Sequence, residues 1–218
     1  MGACTHGFFC YTQNMKKKIR CAWVPEGNEL YEKYHDEEWG VPVRDDQKIF
    51  EFLVLESAQA GLSWLTVLRK RENYARAFAN FNPRIIARWG QKEVEELLKN
   101  TGIIRNRAKI NATINNAKKF LEVQKEFGTF HKYIWGFVDG KTRLERVKPI
   151  INKWKSLKKL PAKTKISDAL ALDLKRRGFK FLGSTICYAH MQATGMVDDH
   201  LMNCFRKSPI KKRARKRR

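Results

Sequence analysis

Asp45-Asp46-Gln47-Lys48-Ile49-Phe50-Glu51-Phe52-Leu53-Val54-Leu55-Glu56-Ser57-Ala58-Gln59-Ala60-Gly61-Leu62-Ser63-Trp64 is the stretch whose reading decides the fold. Asp45 or Asp46 can N-cap a helix here, because a short acidic side chain accepts from the free amides of a first turn. The apolar positions Ile49, Phe52, Leu53 and Ala60 recur at helical spacing. Gly61 breaks the run, and Ser63 can start a second helix with Trp64, Val67, Leu68, Ala75 and Phe78 on one side. Working outward, Asn82-Pro83 starts another helix, Glu93 to Lys99 is a short one stopped at Thr101-Gly102, and Asn106 to Val123 is longer. Ser167 caps a helix ending at Gly178, Ser184 opens one ending at Gly195, and a last short helix holds Asp198 to Phe205. Strand-type alternation is scarce. The region 133–145, with Gly140 at a turn, is the one hairpin candidate. The expected class is all-α.

At 218 residues the chain makes about one domain, at most two, and is long enough to bury a core unaided. A hydrophobic content of 43% is globular rather than disordered. No apolar run approaches the ~18 residues of a spanning helix, and the start shows neither a secretory signal nor a myristoylation pattern. Five cysteines at irregular spacing then read as reduced thiols or metal ligands. Lys and Arg number 45 against 22 Asp and Glu, a net +23 that points to a polyanion. Because the charge is spread along the whole chain, nucleic acid is favoured over a membrane surface. The tail from Lys207 carries eight basic and no acidic residues, which leaves 23 − 8 = +15 on the rest. We therefore read residues 1–19 as a loose extension, 20–205 as the folded domain and 206–218 as a solvated basic tail.

Three constellations could carry chemistry. His200 and Cys204 stand four apart, on one face if helical, and Cys21 with His35 supplies a second thiol and imidazole. Together they form a Cys2His2 set suited to tetrahedral zinc, closed and so structural, tying the chain ends together. From spacing alone, a surface His and a core Cys in coincidental register is the commoner explanation. Cys4, His6 and Cys10 form a competing set in a segment with no core to pre-form it. The second constellation is Glu56, which falls on the apolar stripe of its helix, where a carboxylate is costly unless it is paired or has work to do. Trp64 follows two turns later, and Tyr31 and Tyr34 lie one turn apart beside His35. A carboxylate and an indole lining one cavity suit a flat, cationic, hydrogen-bond-donating ligand such as an alkylated purine. The third is Leu97 to Ile110, two helices around a glycine-containing turn. Gly102, Arg105, Arg107 and Lys109 could there cradle phosphate, or could be a plain turn with solvated charges.

Longer blocks then carry a resemblance. Arg20-Cys21-Ala22-Trp23-Val24, Tyr31 through Pro42 (Tyr-Glu-Lys-Tyr-His-Asp-Glu-Glu-Trp-Gly-Val-Pro), Leu55 through Trp64, Gly102-Ile103-Ile104-Arg105, Lys175 through Tyr188, and Asp199-His200 resemble the 3-methyladenine-DNA glycosylase I family. The likeness runs in order over about residues 20–205; the ends, Ala22 and Ser57 are where it departs. It implies a helix-hairpin-helix DNA glycosylase fold, with a structural zinc on Cys21, His35, His200 and Cys204. It also implies a base pocket in which Glu56 and Tyr34 hydrogen-bond, Trp64 stacks and Tyr31 lies nearby, with Glu56 as the catalytic carboxylate. The implied reaction is flipping and hydrolytic removal of 3-methyladenine from duplex DNA, leaving an abasic site. Asn111 to Lys119 holds no acid where related enzymes place an aspartate, and no motif places a lysine as nucleophile, so strand cleavage is not expected. The expected partner is alkylated double-stranded DNA, with no membrane, acting as a monomer. The expected location is cytoplasmic at the nucleoid in a bacterium, or nuclear through the basic tail in a eukaryote. The rivals are a non-catalytic DNA-binding module, against which Glu56 and Trp64 argue, and a zinc-finger transcription factor, which the wide ligand separation excludes.

Overall fold

The computed structural model describes residues 18–139 and 148–208. Among them the chain is mostly helical: α1 (Glu29–Glu37), α2 (Asp46–Gln59), α3 (Trp64–Ala77), α4 (Pro83–Ile86), α5 (Gln91–Lys99), α6 (Arg107–Phe127), α7 (Phe130–Asp139), α8 (Lys165–Arg176) and α9 (Ser184–Ala193). Two short strands, β1 (Ile150–Ile151) and β2 (Val197–Asp198), pair in parallel with Ile150 opposite Val197. The central helix is α2. Ile49, Phe50 and every residue from Phe52 to Ala58 are buried, so this helix is surrounded rather than amphipathic. It packs against α3, α6, α7 and α9.

Local signals set most boundaries. Asp45 accepts from the Lys48 amide, Ser63 from Thr66, and Asn82 precedes Pro83 at the first helical position. Gly61, at φ +80°, takes the left-handed turn that ends α2. At Gly195 the limit is space. An added Cβ would lie 2.3 Å from the Val41 carbonyl carbon, because residues 40–43 bond across the end of α9 through Gly40 N–H to Gln192 O and Val43 N–H to Thr194 O.

Three expectations are corrected. Residues 133–139 are helical, in α7, not half of a hairpin, and 140–147 lie outside the described residues. Asp46, at the start of α2, accepts the Phe130 and His131 amides and so caps α7 from a distance. Thr164, not Ser167, caps α8. Ser167 sits three residues in and accepts a hydrogen bond from the Thr164 amide, a reciprocal capping box. Asp198 to Phe205 is a strand end followed by turns, with the Cys204 amide bonded to Leu201 O.

Candidate active site and metal centre

The turns after β2 bring His200 and Cys204 round to meet Cys21, which precedes α1, and His35 in the last turn of α1. All four are buried, and one donor atom from each lies within 4.8 Å of all the others. Cys204 Sγ is 3.4 Å from His35 Nε2 and 3.6 Å from His200 Nδ1, and Cys21 Sγ is 3.6 Å from His200 Nδ1. A tetrahedral ion with bonds of about 2.3 Å to sulfur and about 2.05 Å to nitrogen separates such ligands by about 3.6 Å. The cluster therefore has the dimensions of a tetrahedral site.

Its surroundings point the same way. His35 Nδ1 meets Asp36 at 2.8 Å, and Arg20 grips Asp36 with two nitrogens, so Nε2 is left facing the cluster. His200 Nε2 meets the Trp39 carbonyl at 3.2 Å, which turns Nδ1 inward. The Leu201 and Arg206 amides donate to Cys21 Sγ and Cys204 Sγ. The hydrogen bond between the two thiols raises the pKa of Cys21 and lowers that of Cys204.

A cavity of about 250 Å³ opens beside this centre. Tyr31 and Tyr34 of α1, Glu56 and Gln59 of α2, Trp64 at the head of α3 and Gln192 of α9 line it, with Trp23, Trp39, Leu157, Leu160 and Ala189. Sequence reasoning brought Tyr31, Tyr34, Glu56 and Trp64 to one wall, and the structure does so too. It missed the remaining linings. Trp23 and Trp39 stood inside quoted motifs, but Leu157, Leu160 and Gln192 are remote in sequence and carried no local signal. Trp23 packs edge-on against Tyr31, His35 and Trp39, so one aromatic wall serves both cavity and metal cluster.

Glu56 is 3% exposed and its Oε2 has no hydrogen-bond partner. Burial pushes its carboxyl up to about 8. Burial also raises Tyr34 and Tyr31, with the nearby Glu56 adding to it. Trp64 packs 5.3 Å from Tyr34, and its buried indole Nε1 is likewise unpartnered. An orphaned acceptor and an orphaned donor thus border the same cavity. Such atoms are costly to leave unmade, and a bound planar heterocycle can supply both partners.

Most of the residues expected to cradle phosphate between α5 and α6 have partners within the chain. The Gly102 amide donates to Asn100 Oδ1, and the Ile104 amide to the Tyr74 hydroxyl. Arg107 forks onto Glu95 at 2.7 and 3.0 Å. Lys109 turns away, donating to Ala58 O at 2.9 Å and Ala60 O at 2.6 Å, where it caps the C-terminal end of α2. Only Arg105 of that set remains exposed without a described partner. Another turn with basic flanks joins α8 to α9. There Gly183 caps α9 without a side-chain bond, Phe181 is 43% exposed at φ +57°, and Lys175 and Lys180 flank the loop. The aspartates after α9 are committed internally, Asp198 to Lys207 and Ser208, and Asp199 to four donors.

Comparison with known proteins agrees with this geometry. The sequence pattern of the methyladenine glycosylase family matches residues 23–207. The DNA-3-methyladenine glycosylase of Haemophilus influenzae is 48% identical over 185 residues, 85% of this chain and 96% of that protein. DNA-3-methyladenine glycosylase 1 of Escherichia coli K12 is 46% identical over 85% of this chain and 95% of its own length. A crystal structure of 3-methyladenine DNA glycosylase I superposes with a TM-score of 0.81 at 50% identity, covering 87% of this chain and 100% of the other. The Staphylococcus aureus 3-methyladenine DNA glycosylase I, solved for its recognition of 3-methyladenine, gives 0.81 at 34% identity over 88% and 97%. By sequence, fold and extent of match, the chain belongs to the methyladenine glycosylase family.

Proposed function

We propose that this chain is a DNA repair glycosylase that flips a 3-methyladenine nucleotide out of duplex DNA and hydrolyses its bond to the sugar, leaving an abasic site. The observation that carries the reading is the buried Glu56 carboxyl, whose Oε2 has no partner, on an aromatic-lined cavity. A neutral purine gives such a group little reason to ionise. An N3-methylated adenine in DNA is a cation, and its approach stabilises the carboxylate that burial disfavours. Glu56 accepts from the base's amino edge, Trp64 and Tyr34 provide ring surfaces, and undamaged bases, lacking the charge, gain less. The names of the relatives, and a solved structure of a family member in complex with 3-methyladenine, support the choice of base.

Extrusion from the duplex costs a few kcal/mol, least for a damaged base. In this reading Leu62, 41% exposed in the turn between α2 and α3, fills the gap left in the stack. Arg105 and the α8–α9 turn, the helix-hairpin-helix element in this reading, hold phosphate. In the chemical step the bond between base and sugar breaks with its electron pair going to the base, which neutralises the ring charge. Water adds to the sugar carbon and releases a proton. The leaving group needs no protonation, consistent with Asp198 and Asp199 being committed elsewhere. Among the described residues no lysine lines the cavity, which favours simple hydrolysis without strand cleavage.

Cys21, His35, His200 and Cys204 fit zinc, which supplies folding energy to a closed tetrahedral site and no part of the reaction. The test is chromatography of bases released from methylated duplex DNA. The wild type should release 3-methyladenine, and Glu56→Gln should do so roughly ten- to a hundredfold more slowly, the value of a charge-assisted contact. Wild-type rates in that variant would remove Glu56 from the mechanism.

A further inference from the structure

Asp199 is 2% exposed, yet no cation accompanies its carboxylate among the four groups bonded to it. Oδ1 accepts from Asn152 Nδ2 and Trp154 Nε1, each at 2.7 Å. Oδ2 accepts from the Tyr188 hydroxyl at 2.6 Å and from Gln192 Nε2 at 2.8 Å. Three of these partners are structural, knitting the segment after β1 to α9. The fourth, Gln192, lines the cavity that holds Glu56 and Trp64. A carboxylate oxygen only accepts, so it admits the amide nitrogen of Gln192 and repels the amide oxygen. The side chain is therefore locked in one of its two orientations, with the NH2 branch on Asp199 and the carbonyl branch on the other side.

We infer that Asp199 is a positioning residue for substrate choice: by holding the Gln192 NH2, it leaves the Gln192 carbonyl as a fixed acceptor for the base, so that the cavity favours a purine with an amino group over one with a carbonyl at the same edge. Two acceptors, Glu56 and Gln192, then meet the amino group of 3-methyladenine. The carbonyl of 3-methylguanine would face them with no proton to share. A site built to accept a donor rejects an analogue lacking it more strongly than an apolar pocket does, because its polar atoms are left unmade. Without Asp199 the Gln192 amide can rotate and offer its NH2 instead, and the preference is lost.

The inference rests on the glycosylase reading, and one reaction separates the two. DNA treated with a methylating agent carries both 3-methyladenine and 3-methylguanine, and chromatography gives both release rates under single-turnover conditions. In Asp199→Asn, which keeps the shape but offers a donor to Gln192, the ratio of adenine to guanine release should fall about tenfold, the scale of one mispaired hydrogen bond. Gln192→Met, which leaves Asp199 in place, should lower the ratio similarly. A purely structural Asp199 would slow both releases together and leave the ratio where it was, overturning the inference. An unchanged ratio in Gln192→Met overturns it whatever Asp199→Asn does, including failure to fold. A wild type that releases neither base refutes the glycosylase reading as well.

Discussion

Replacing Glu56 by Gln should make the protein more stable, relative to the wild type, as pH rises. The Glu56 carboxyl titrates at about 8 in the folded chain, against an ordinary value of 4.5, because burial disfavours its charge. At pH 5 the folded group is protonated while about three-quarters of the unfolded chains have already ionised theirs, a cost still under about 1 kcal/mol. As pH rises above 4.5 the unfolded chain loses the proton while the folded chain keeps it, so folded stability declines until the folded group itself titrates near 8. At 1.36 kcal/mol per pH unit, the loss between pH 5 and pH 8 comes to about 3.5 kcal/mol, less whatever local relaxation recovers. The amide in the variant does not titrate. Once buried, it adds an offset of about 1–3 kcal/mol that is constant with pH, so the slope is diagnostic and the intercept is not. The assay is thermal or urea denaturation of wild type and Glu56→Gln between pH 5 and pH 8.5, without DNA. The gap should widen in favour of the variant by roughly 6–12 °C in Tm over that range for a chain of this size. Parallel curves would refute the argument, since they would mean that Glu56 carries its ordinary pKa and that the pocket holds no strained carboxyl.

Cys204→Ser should reduce bound zinc from one per chain and lower Tm, read by elemental analysis and calorimetry; a wild type free of zinc ends the metal assignment. Trp64→Ala should slow 3-methyladenine release by the ~1–3 kcal/mol of one stacked base while duplex affinity at fixed salt stays near wild type, and equal losses in both would place Trp64 in DNA binding instead. Gly195→Ala drives a Cβ into the backbone at Val41, so denaturation should show a loss of about 2 kcal/mol or more; a loss under about 0.5 kcal/mol would mean the two segments part freely. Deleting residues 209–218, which leaves Lys207 and Ser208 on Asp198, removes seven positive charges and should flatten the salt dependence of duplex binding without changing single-turnover release at saturating DNA.

Legibility in the sequence followed the range of the cause. Asp45, Ser63 and Asn82 announce helix starts because a cap bonds to its own first turn, and the structure places helices there. Glu56 stood out because a carboxylate on an apolar stripe is visible in one dimension. The errors share another origin. Tyr133, Trp135 and Phe137 alternate like a strand, yet α7 forms because Asp46, more than eighty residues earlier, caps it. His200 and Cys204 have helical spacing, but their meeting comes from turns folded around a common centre. The charges of Arg107 and Lys109 looked free because Glu95 and the carbonyls of Ala58 and Ala60 become their partners only once α5, α2 and α6 are packed. Gln192 and Leu160 give no local sign of lining a cavity, since only the packed fold brings them to Glu56.

The joining of Cys21 and His35 to His200 and Cys204 sets an order of events during synthesis. The first two side chains leave the ribosome 200 − 35 = 165 residues or more before the last two. A nascent chain that has not reached His200 can offer a metal ion at most half of this candidate site, so capture of an ion there would report a finished domain. The aromatic wall beside the four Cys and His side chains, through Trp23 and Trp39, also borders the cavity that holds Glu56. A chain that stops short of His200 would then have neither a complete Cys/His cluster nor a formed cavity.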